Sequence, residues 1–353
     1  MYIKKIRIYD FRNYESQIIE LEKGKNIFYG NNAQGKTNII EAIFLCSFGK
    51  SFRTKKEKEL INLKKEIAEV EIEYEKSDRE GKIKLEIKDK KSFYINGIKA
   101  NKLSEILGKI NIVLFNPDSI EIAKEGPSKR RRFIDMLIGQ LNPVYIYNIN
   151  QYLNTLEQRN AYLKQIKYEN KSEEMLEIWD ENLNEYAKKI YNIRKMYLEK
   201  INEKIVNIHK KITKEKEEIE IEYISNYNSD YLNKLKESRK IDILRGYTNY
   251  GIHRDDFNIR VNGNLVSVFG SQGQQRSSII SLKLAELEVI YDEIGEYPIL
   301  LLDDFMSELD KERREKFLEN IKENQVIITS TDKFEIKDSN YYCVKSGKVT
   351  KEN

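Results

Sequence analysis

The sequence predicts an α/β nucleotide-binding domain that is split in two by an inserted helical arm. Three observations carry that expectation: a glycine–lysine loop near the start, an apolar strand ending in two aspartates near the end, and a glycine-poor helical stretch between them. The domain halves are expected at residues 1–115 and 246–353, with the arm at 116–245.

The loop is GNNAQGKT, Gly30 to Thr37 (Gly30, Asn31, Asn32, Ala33, Gln34, Gly35, Lys36, Thr37), with Asn38 following. Its spacing is G-x-x-x-x-G-K-[ST]. The two glycines let successive backbone N–H groups curl around an anion. Lys36 is placed to reach the β- and γ-phosphates from a surface loop, and Thr37 offers a hydroxyl to Mg²⁺. Before the loop, Asn26-Ile27-Phe28-Tyr29 is a short apolar run suited to a buried strand. After it, Asn38 to Phe48 reads as a helix whose apolar face is Ile39, Ile40, Ile43 and Phe44, and whose N-terminus adds a favourable dipole. Strand, loop and helix are the context a phosphate-binding loop requires, whereas a plain glycine turn with an exposed lysine needs neither neighbour.

At 353 residues the chain has room for two domains with separate cores. Its 62 basic and 58 acidic residues nearly cancel to +4, so overall charge does not argue for nucleic acid and only local runs count. Cys46 and Cys343 are far apart and suggest neither a metal site nor a disulfide framework. MYIKKIRIYDF lacks the apolar core of a signal peptide, and no run is long enough to span a bilayer. A cytoplasmic protein with no membrane partner is expected.

Along the chain, KKIRIYDFRNY alternates Ile3, Ile6, Ile8 and Phe11 with basic residues. AEVEIEYEK, GKIKLEIKDKK and SFYINGIKA read as further alternating strands, with Asn96-Gly97 as a hairpin turn. From about Pro127 to Arg245 glycine nearly disappears, and QYLNTLEQRNAYLKQI and the stretch from Trp179 to Ile212 carry amphipathic helical spacing, as in an antiparallel arm. Mixed structure then returns. FNIRVNGNLVSVFG reads as a hairpin, residues 274–294 as a helix, PILLLDDF and QVIITSTD as buried strands, and YYCVKSGKVTKEN as a final hairpin.

Ile299 to Leu302 bury a strand that ends in Asp303 and Asp304. An acidic residue after such a strand orients Mg²⁺ beside the loop threonine, which assigns Asp303 to the metal and leaves Asp304 to polarise the attacking water. SQGQQ, beginning at Ser271, opens a helix shortly before that strand, and Ser271, Gln272, Gly273 and Gln274 make a second helix-start anion site. Two such sites in one chain are redundant unless they serve different nucleotides. A head-to-tail, two-fold dimer, in which one subunit's loop and the other's SQGQQ share one ATP, resolves the redundancy.

GNNAQGKT, SQGQQ and LLLDDFMSELD, in this order, resemble an ABC-type ATPase head of the SMC-like DNA-repair class. The short inserted arm narrows the resemblance to the RecF family, and IRIYDFRNY, SFRT, VLFNPDSIEIAKEGPSKRRRFID and GIHRDDF extend it over nearly the whole chain. The resemblance implies mixed sheets around a P-loop helix, ATP and Mg²⁺ as cofactors, and an ATP-dependent homodimer on gapped or double-stranded DNA that works with RecR and RecO to load recombinase. It also implies Lys36 and Thr37 as loop contacts, Asp303 and Asp304 as metal and catalytic carboxylates, Ser271 to Gln275 as the signature, and Ser307 to Asp310 as the loop across the dimer. Ser330 and Thr331 stand where transporters carry a switch histidine, and the second carboxylate is Asp rather than Glu, so slow hydrolysis is expected. The transporter glutamine loop has no assigned position; FNPDS is its region.

Lys4, Lys5, Arg7 and Arg12 alternate with apolar residues and are read as one exposed, phosphate-tracking sheet face. Lys129, Arg130 and Arg131, with Arg132, either grip a DNA backbone or form a solvated helix start. Arg53 reaches either a phosphate, DNA or a surface carboxylate. The stretch from His253 to Asp256 is a hydrogen-bond corner rather than a metal site. Two other readings stand beside the DNA-binding ATPase: another ABC-type ATPase subunit and a small-molecule P-loop kinase. The missing histidine and the helical arm argue against the first, and the signature loop against the second.

Overall fold

The computed structural model describes residues 1–308, 314, 317, 321, 324–333 and 335–352. In chain order the elements are β1 (Tyr2–Phe11), β2 (Tyr14–Glu20), β3 (Lys25–Tyr29), α1 (Lys36–Phe48), β4 (Ala68–Lys76), β5 (Arg79–Ile87), β6 (Lys91–Ile95), β7 (Ile98–Lys99) and β8 (Ile112–Phe115). Then come α2 (Glu121–Lys124), α3 (Pro127–Leu141), α4 (Pro143–Glu169), α5 (Leu176–Thr213), β9 (Ile219–Ile224), α6 (Tyr231–Arg245), β10 (Asp256–Val261), β11 (Asn264–Leu265), α7 (Val266–Phe269) and α8 (Gln272–Ile294). The chain closes with β12 (Ile299–Asp303), β13 (Val326–Ser330), β14 (Ser339–Lys345) and β15 (Lys348–Lys351).

Two compact units form, one from 1–119 with 283–353 and the other from 120–282. Residues 246–282, which the sequence places with the nucleotide domain, fall in the second unit. The cause is β10, which pairs antiparallel with β9 from Asp256↔Ile224 to Val261↔Ile219. The arm region thus contains a strand where the sequence reading has helix alone.

The first unit has two sheets, ordered β2-β1-β4-β5-β6-β7 and β15-β14-β3-β13-β12-β8. In the first sheet β4 alternates buried Ala68, Val70, Ile72 and Tyr74 with half-buried glutamates, the pattern of a sheet with one wet face. In the second, β3, β13, β12 and β8 are parallel, and β12 and β8 carry unbroken buried apolar runs, Ile299 to Leu302 and Ile112 to Phe115, as in strands covered on both faces. Helix α1 contacts β4 and β5 on one side and β12 and β13 on the other. It is therefore buried nearly all round, with Ala42, Leu45 and Cys46 as deep as the expected face. The side chain of Gln325 pairs with the backbone of Ile3 through two 2.8 Å bonds, tying the second sheet to β1.

In the second unit, Asn142 caps α4 by accepting from the N–H of Tyr145 at 3.0 Å, with Pro143 at the first helical position. The helices are locked by a buried charge network. Arg159 bonds Asp180 of α5 at 2.7 Å and Asp242 of α6 at 2.8 Å, and all three are fully buried. Removing one member of such a set costs about 3–5 kcal/mol, so the network fixes how the helices pair.

Candidate nucleotide site

The loop geometry follows from its glycines. Gly30 and Gly35 have φ of 152° and 116°, which L side chains rarely adopt. A Cβ at Gly30 would lie 2.3 Å from the Val344 carbonyl oxygen, and one at Gly35 would lie 2.7 Å from Asn13 Oδ1. Gly35 is also the N-cap of α1 and brings no side-chain acceptor, so no cap side chain competes with an anion for the first turn's donors.

The loop is braced by residues the sequence reading passes over. Asn13 Nδ2 donates to Gln34 O at 2.8 Å, while Asn13 Oδ1 accepts from Asn38 Nδ2 at 2.7 Å. The Tyr14 hydroxyl donates to Gly35 O at 3.1 Å. From the β14–β15 turn, the Ser346 N–H donates to Gln34 Oε1 at 2.6 Å and the Gly347 N–H to Gln34 O at 3.1 Å. Only the FRNY stretch, which carries Asn13 and Tyr14, hinted at this in the sequence.

Lys36 is not the exposed loop lysine the spacing suggests. It is the first residue of α1, only 4 % exposed, and its Nζ donates to Gly30 O at 2.6 Å and Asn31 O at 2.9 Å. Burial lowers its pKa, and the charges of Asp304, Asp303 and Asp332 oppose that shift.

Beside it stand both aspartates. Thr37 Oγ1 and Thr329 Oγ1 each donate to Asp303 Oδ1 at 2.8 Å. Thr329 Oγ1 also accepts the Asp304 N–H at 3.0 Å, so one threonine at the end of β13 places both carboxylates. Burial raises the pKa of Asp303, against the pull of the two hydroxyls. Asp304 sits at φ 48°, a left-handed conformation that Asp tolerates better than Glu does. That is a backbone reason for the shorter carboxylate here.

Glu41 of α1 is fully buried and gathers Arg12 Nε at 2.9 Å, Arg12 Nη2 at 2.7 Å, the Ser51 hydroxyl at 2.5 Å and Arg53 Nη1 at 3.3 Å. Arg12 is therefore not on the exposed sheet face; it leaves the strand and turns inward, with its own φ at 54°. Arg53 takes the carboxylate alternative and also donates to Asn38 Oδ1 at 2.8 Å.

The other candidate cations, Arg132 apart, are also paired. A register shift between Ile3 and Lys5 interrupts the β1 alternation. Lys4 meets Glu75 and Glu80, Lys5 meets Glu20, and Arg7 meets Glu71 and Glu73, all within 2.9 Å. On α3, Lys129 pairs with Glu121, Arg130 holds both oxygens of Asp256 and is 8 % exposed, and Arg131 donates to Asp255 O at 2.6 Å. Of the KRRR run only Arg132 is exposed.

Ser271 and Gln274 cap α8 reciprocally. The Ser271 N–H donates to Gln274 Oε1 at 3.0 Å, and the Gln274 N–H donates to Ser271 Oγ at 3.2 Å. This segment belongs to the second compact unit, whereas the loop and the aspartates belong to the first. Gln272 and Gly273 form the first turn of α8, and the Gly273 carbonyl accepts from Ser277 Oγ at 2.9 Å. Of the expected dimer loop, Leu309 and Asp310 lie outside the described residues.

The 253–256 corner is structural. His253 Nδ1 meets the Tyr152 hydroxyl at 2.8 Å, and Asp255 gathers Arg194, Tyr223, Ser225 and the Asn226 N–H. No group of three or more metal-ligating side chains occurs among the described residues.

A nucleotide triphosphate with Mg²⁺ fits the site. The glycine cradle lacks the Cβ atoms that would fill it, and Thr37 and Asp303 supply hard oxygen donors. Asp303 Oδ2 makes no hydrogen bond among the described residues, and Mg²⁺ takes one or two carboxylates plus phosphate oxygens rather than a full protein cage.

The family model described as RecF/RecN/SMC N terminal domain matches residues 2–351. The chain is 44% identical over 357 residues to the DNA replication and repair protein RecF of Clostridium perfringens, covering 99% of this chain and 97% of that protein. It is 43% identical over 367 residues to the RecF of Acetivibrio thermocellus, covering 99% and 100%. The solved structure of the recombination mediator protein RecF with ATP, from the RecFOR pathway, superposes with a TM-score of 0.94 at 39% identity, over 100% of this chain and 98% of that one. The Smc head domain of Pyrococcus furiosus superposes at a TM-score of 0.59 and 20% identity, covering 99% of this chain and 96% of that one, which shows the ABC-type ATPase head fold. No helix among the described residues is long and apolar enough to cross a membrane. On the loop, the acidic strand and this near full-length similarity, the chain belongs to the RecF family.

Proposed function

We propose that the chain is an ATP-dependent DNA-binding protein of recombinational repair and replication-fork maintenance. It acts as an ATP-switched homodimer on gapped or double-stranded DNA, hydrolyses ATP slowly with stimulation by DNA, and works with RecR and RecO to load recombinase. The observation that carries the reading is the link from Thr37 through Asp303 and Thr329 to Asp304, at the foot of the glycine cradle. Similarity to proteins named for DNA replication and repair supports the biological setting.

In this reading the α1 N-terminus and the loop N–H groups hold the phosphates, and Lys36 exchanges Gly30 O and Asn31 O for phosphate oxygens. Mg²⁺, when bound, would neutralise phosphate charge as the reaction proceeds. Asp303 and Thr37 orient it, and Asp304 accepts a hydrogen bond from the attacking water. Ser271 of the second subunit closes the site over the γ-phosphate, exchanging its cap bond to Gln274.

Steady-state ATP hydrolysis with increasing double-stranded or gapped DNA tests the reading. Hydrolysis should rise with DNA. ATP binding without any DNA response refutes the DNA-switched ATPase and favours another P-loop enzyme.

A further inference from the structure

The cations first assigned to DNA, the exposed Arg132 apart, are engaged by carboxylates or carbonyls, and the last turns of α5 present two further exposed lysines. Lys210 and Lys211 are exposed and form no ion pair among the described residues. With Asn207, Lys214 and Glu215 they line a concavity of about 540 Å³. The concavity arises because α5 ends abruptly. Lys214 and Glu215 both adopt left-handed φ, 56° and 59°, and the N–H of Glu215 returns to Lys210 O at 2.8 Å.

The helical register places further lysines, each engaged with neighbouring groups, along the same helix. Lys200, Lys204, Asn207 and Lys211 fall at steps of four, three and four, which is a single stripe of α5, and Lys214 follows at its C-cap. From Lys200 to Lys211 the helix rises about 16 Å, the axial length of roughly five nucleotides of one strand. A stripe of that length suits a repeating anion better than a single phosphate. The opposite, buried side of the same turn holds the signature helix: His209 Nδ1 lies 2.8 Å from Ser281 Oγ of α8, with Glu217 3.3 Å from Nε2.

We propose that the C-terminal end of α5, where Lys210 and Lys211 line the concavity at the foot of this stripe, is a seat for the DNA phosphate backbone. The inference rests on the DNA-binding reading above and replaces its contact residues. Because His209 joins this turn to α8, which begins beside Ser271, occupancy of this seat acts on the helix that carries the signature. This gives DNA a physical route to the rate of hydrolysis.

The test is Lys210→Gln/Lys211→Gln in the full chain, by fluorescence anisotropy with labelled double-stranded DNA and ATP over a salt series. Each phosphate contact contributes about 0.9 to the slope of log affinity against log salt, so the double variant should lose about 1.8. Between about 50 and 200 mM salt it should then lose roughly tenfold less affinity than the wild type. ATP affinity by calorimetry and the thermal midpoint should not move, and stimulation of hydrolysis by DNA should fall with DNA binding. Lys4→Gln/Lys5→Gln should leave the slope unchanged. A wild type that binds DNA with a salt slope the α5 variant retains overturns this seat alone. A wild type with no salt-dependent DNA binding overturns the DNA-binding reading as well.

Discussion

Thr37 Oγ1 donates to Asp303 Oδ1 across 2.8 Å, joining residues 266 positions apart in the chain. The bond closes the nucleotide site, because it sets the first turn of α1 against the end of β12 before any ligand arrives. Thr329 reinforces the same oxygen from β13, and the result is a carboxylate held in one orientation by two hydroxyls.

Lys36→Ala should abolish tight ATP binding, since it removes the charge aimed at the β- and γ-phosphates. It should also cost about 1–2 kcal/mol of stability, because Gly30 O and Asn31 O lose their donor. Calorimetric ATP titration and thermal melts check both halves; unchanged ATP affinity removes the loop assignment.

Asp303→Asn should stop Mg²⁺-supported hydrolysis yet raise stability at neutral pH by about 1 kcal/mol. Burial lifts the native pKa of Asp303 above its unfolded value. Its contribution to folding is therefore most favourable below the unfolded pKa and is lost as pH rises through the native one. At pH 7 the buried charge is a cost that Asn does not carry. A variant less stable than wild type at pH 7 contradicts this account.

Ser271→Arg should leave one-subunit ATP binding intact, because Lys36 and Thr37 are untouched, while preventing ATP-induced dimerisation and hydrolysis. Loss of the reciprocal cap with Gln274 should cost about 1 kcal/mol. Asp304→Asn should do the reverse. Asn tolerates the φ of 48°, ATP stays bound, and the dimer accumulates. Light scattering with ATP reports both, and a Ser271→Arg protein that still dimerises defeats the shared site.

His253 is held neutral, its pKa lowered by burial from the ordinary 6.5 to about 4. The unfolded chain binds a proton there that the native state refuses between those values. Stability from this group is thus full above about pH 6.5 and lost as pH falls toward 4, by up to about 3 kcal/mol. His209, also lowered by burial, acts in the same direction. His253→Gln should flatten the decline by that share in chemical denaturation at pH 4.5 and 7; an unchanged slope refutes it.

The phosphate loop, the acidic strand, the mixed strands of the first unit and the long helices were legible in the sequence by itself. Each is written in local spacing: glycines where φ must be positive, unbroken apolar runs where a parallel strand is buried on both faces, three- and four-residue steps where helices pack. Only the tertiary structure decided which charges meet. Arg12 and Arg53 look like surface cations until Glu41 is found beneath them, and Lys4, Lys5 and Arg7 look like a DNA face until their glutamates are placed on neighbouring strands. Thr329, Asn13 and Gly347 join the nucleotide loop and the carboxylates from distant strands and turns. The boundary of the second unit follows from the pairing of β9 with β10. The physical reason is common to all of these. An ion pair or a cross-strand ladder depends on partners far along the chain, and only packing selects the partner.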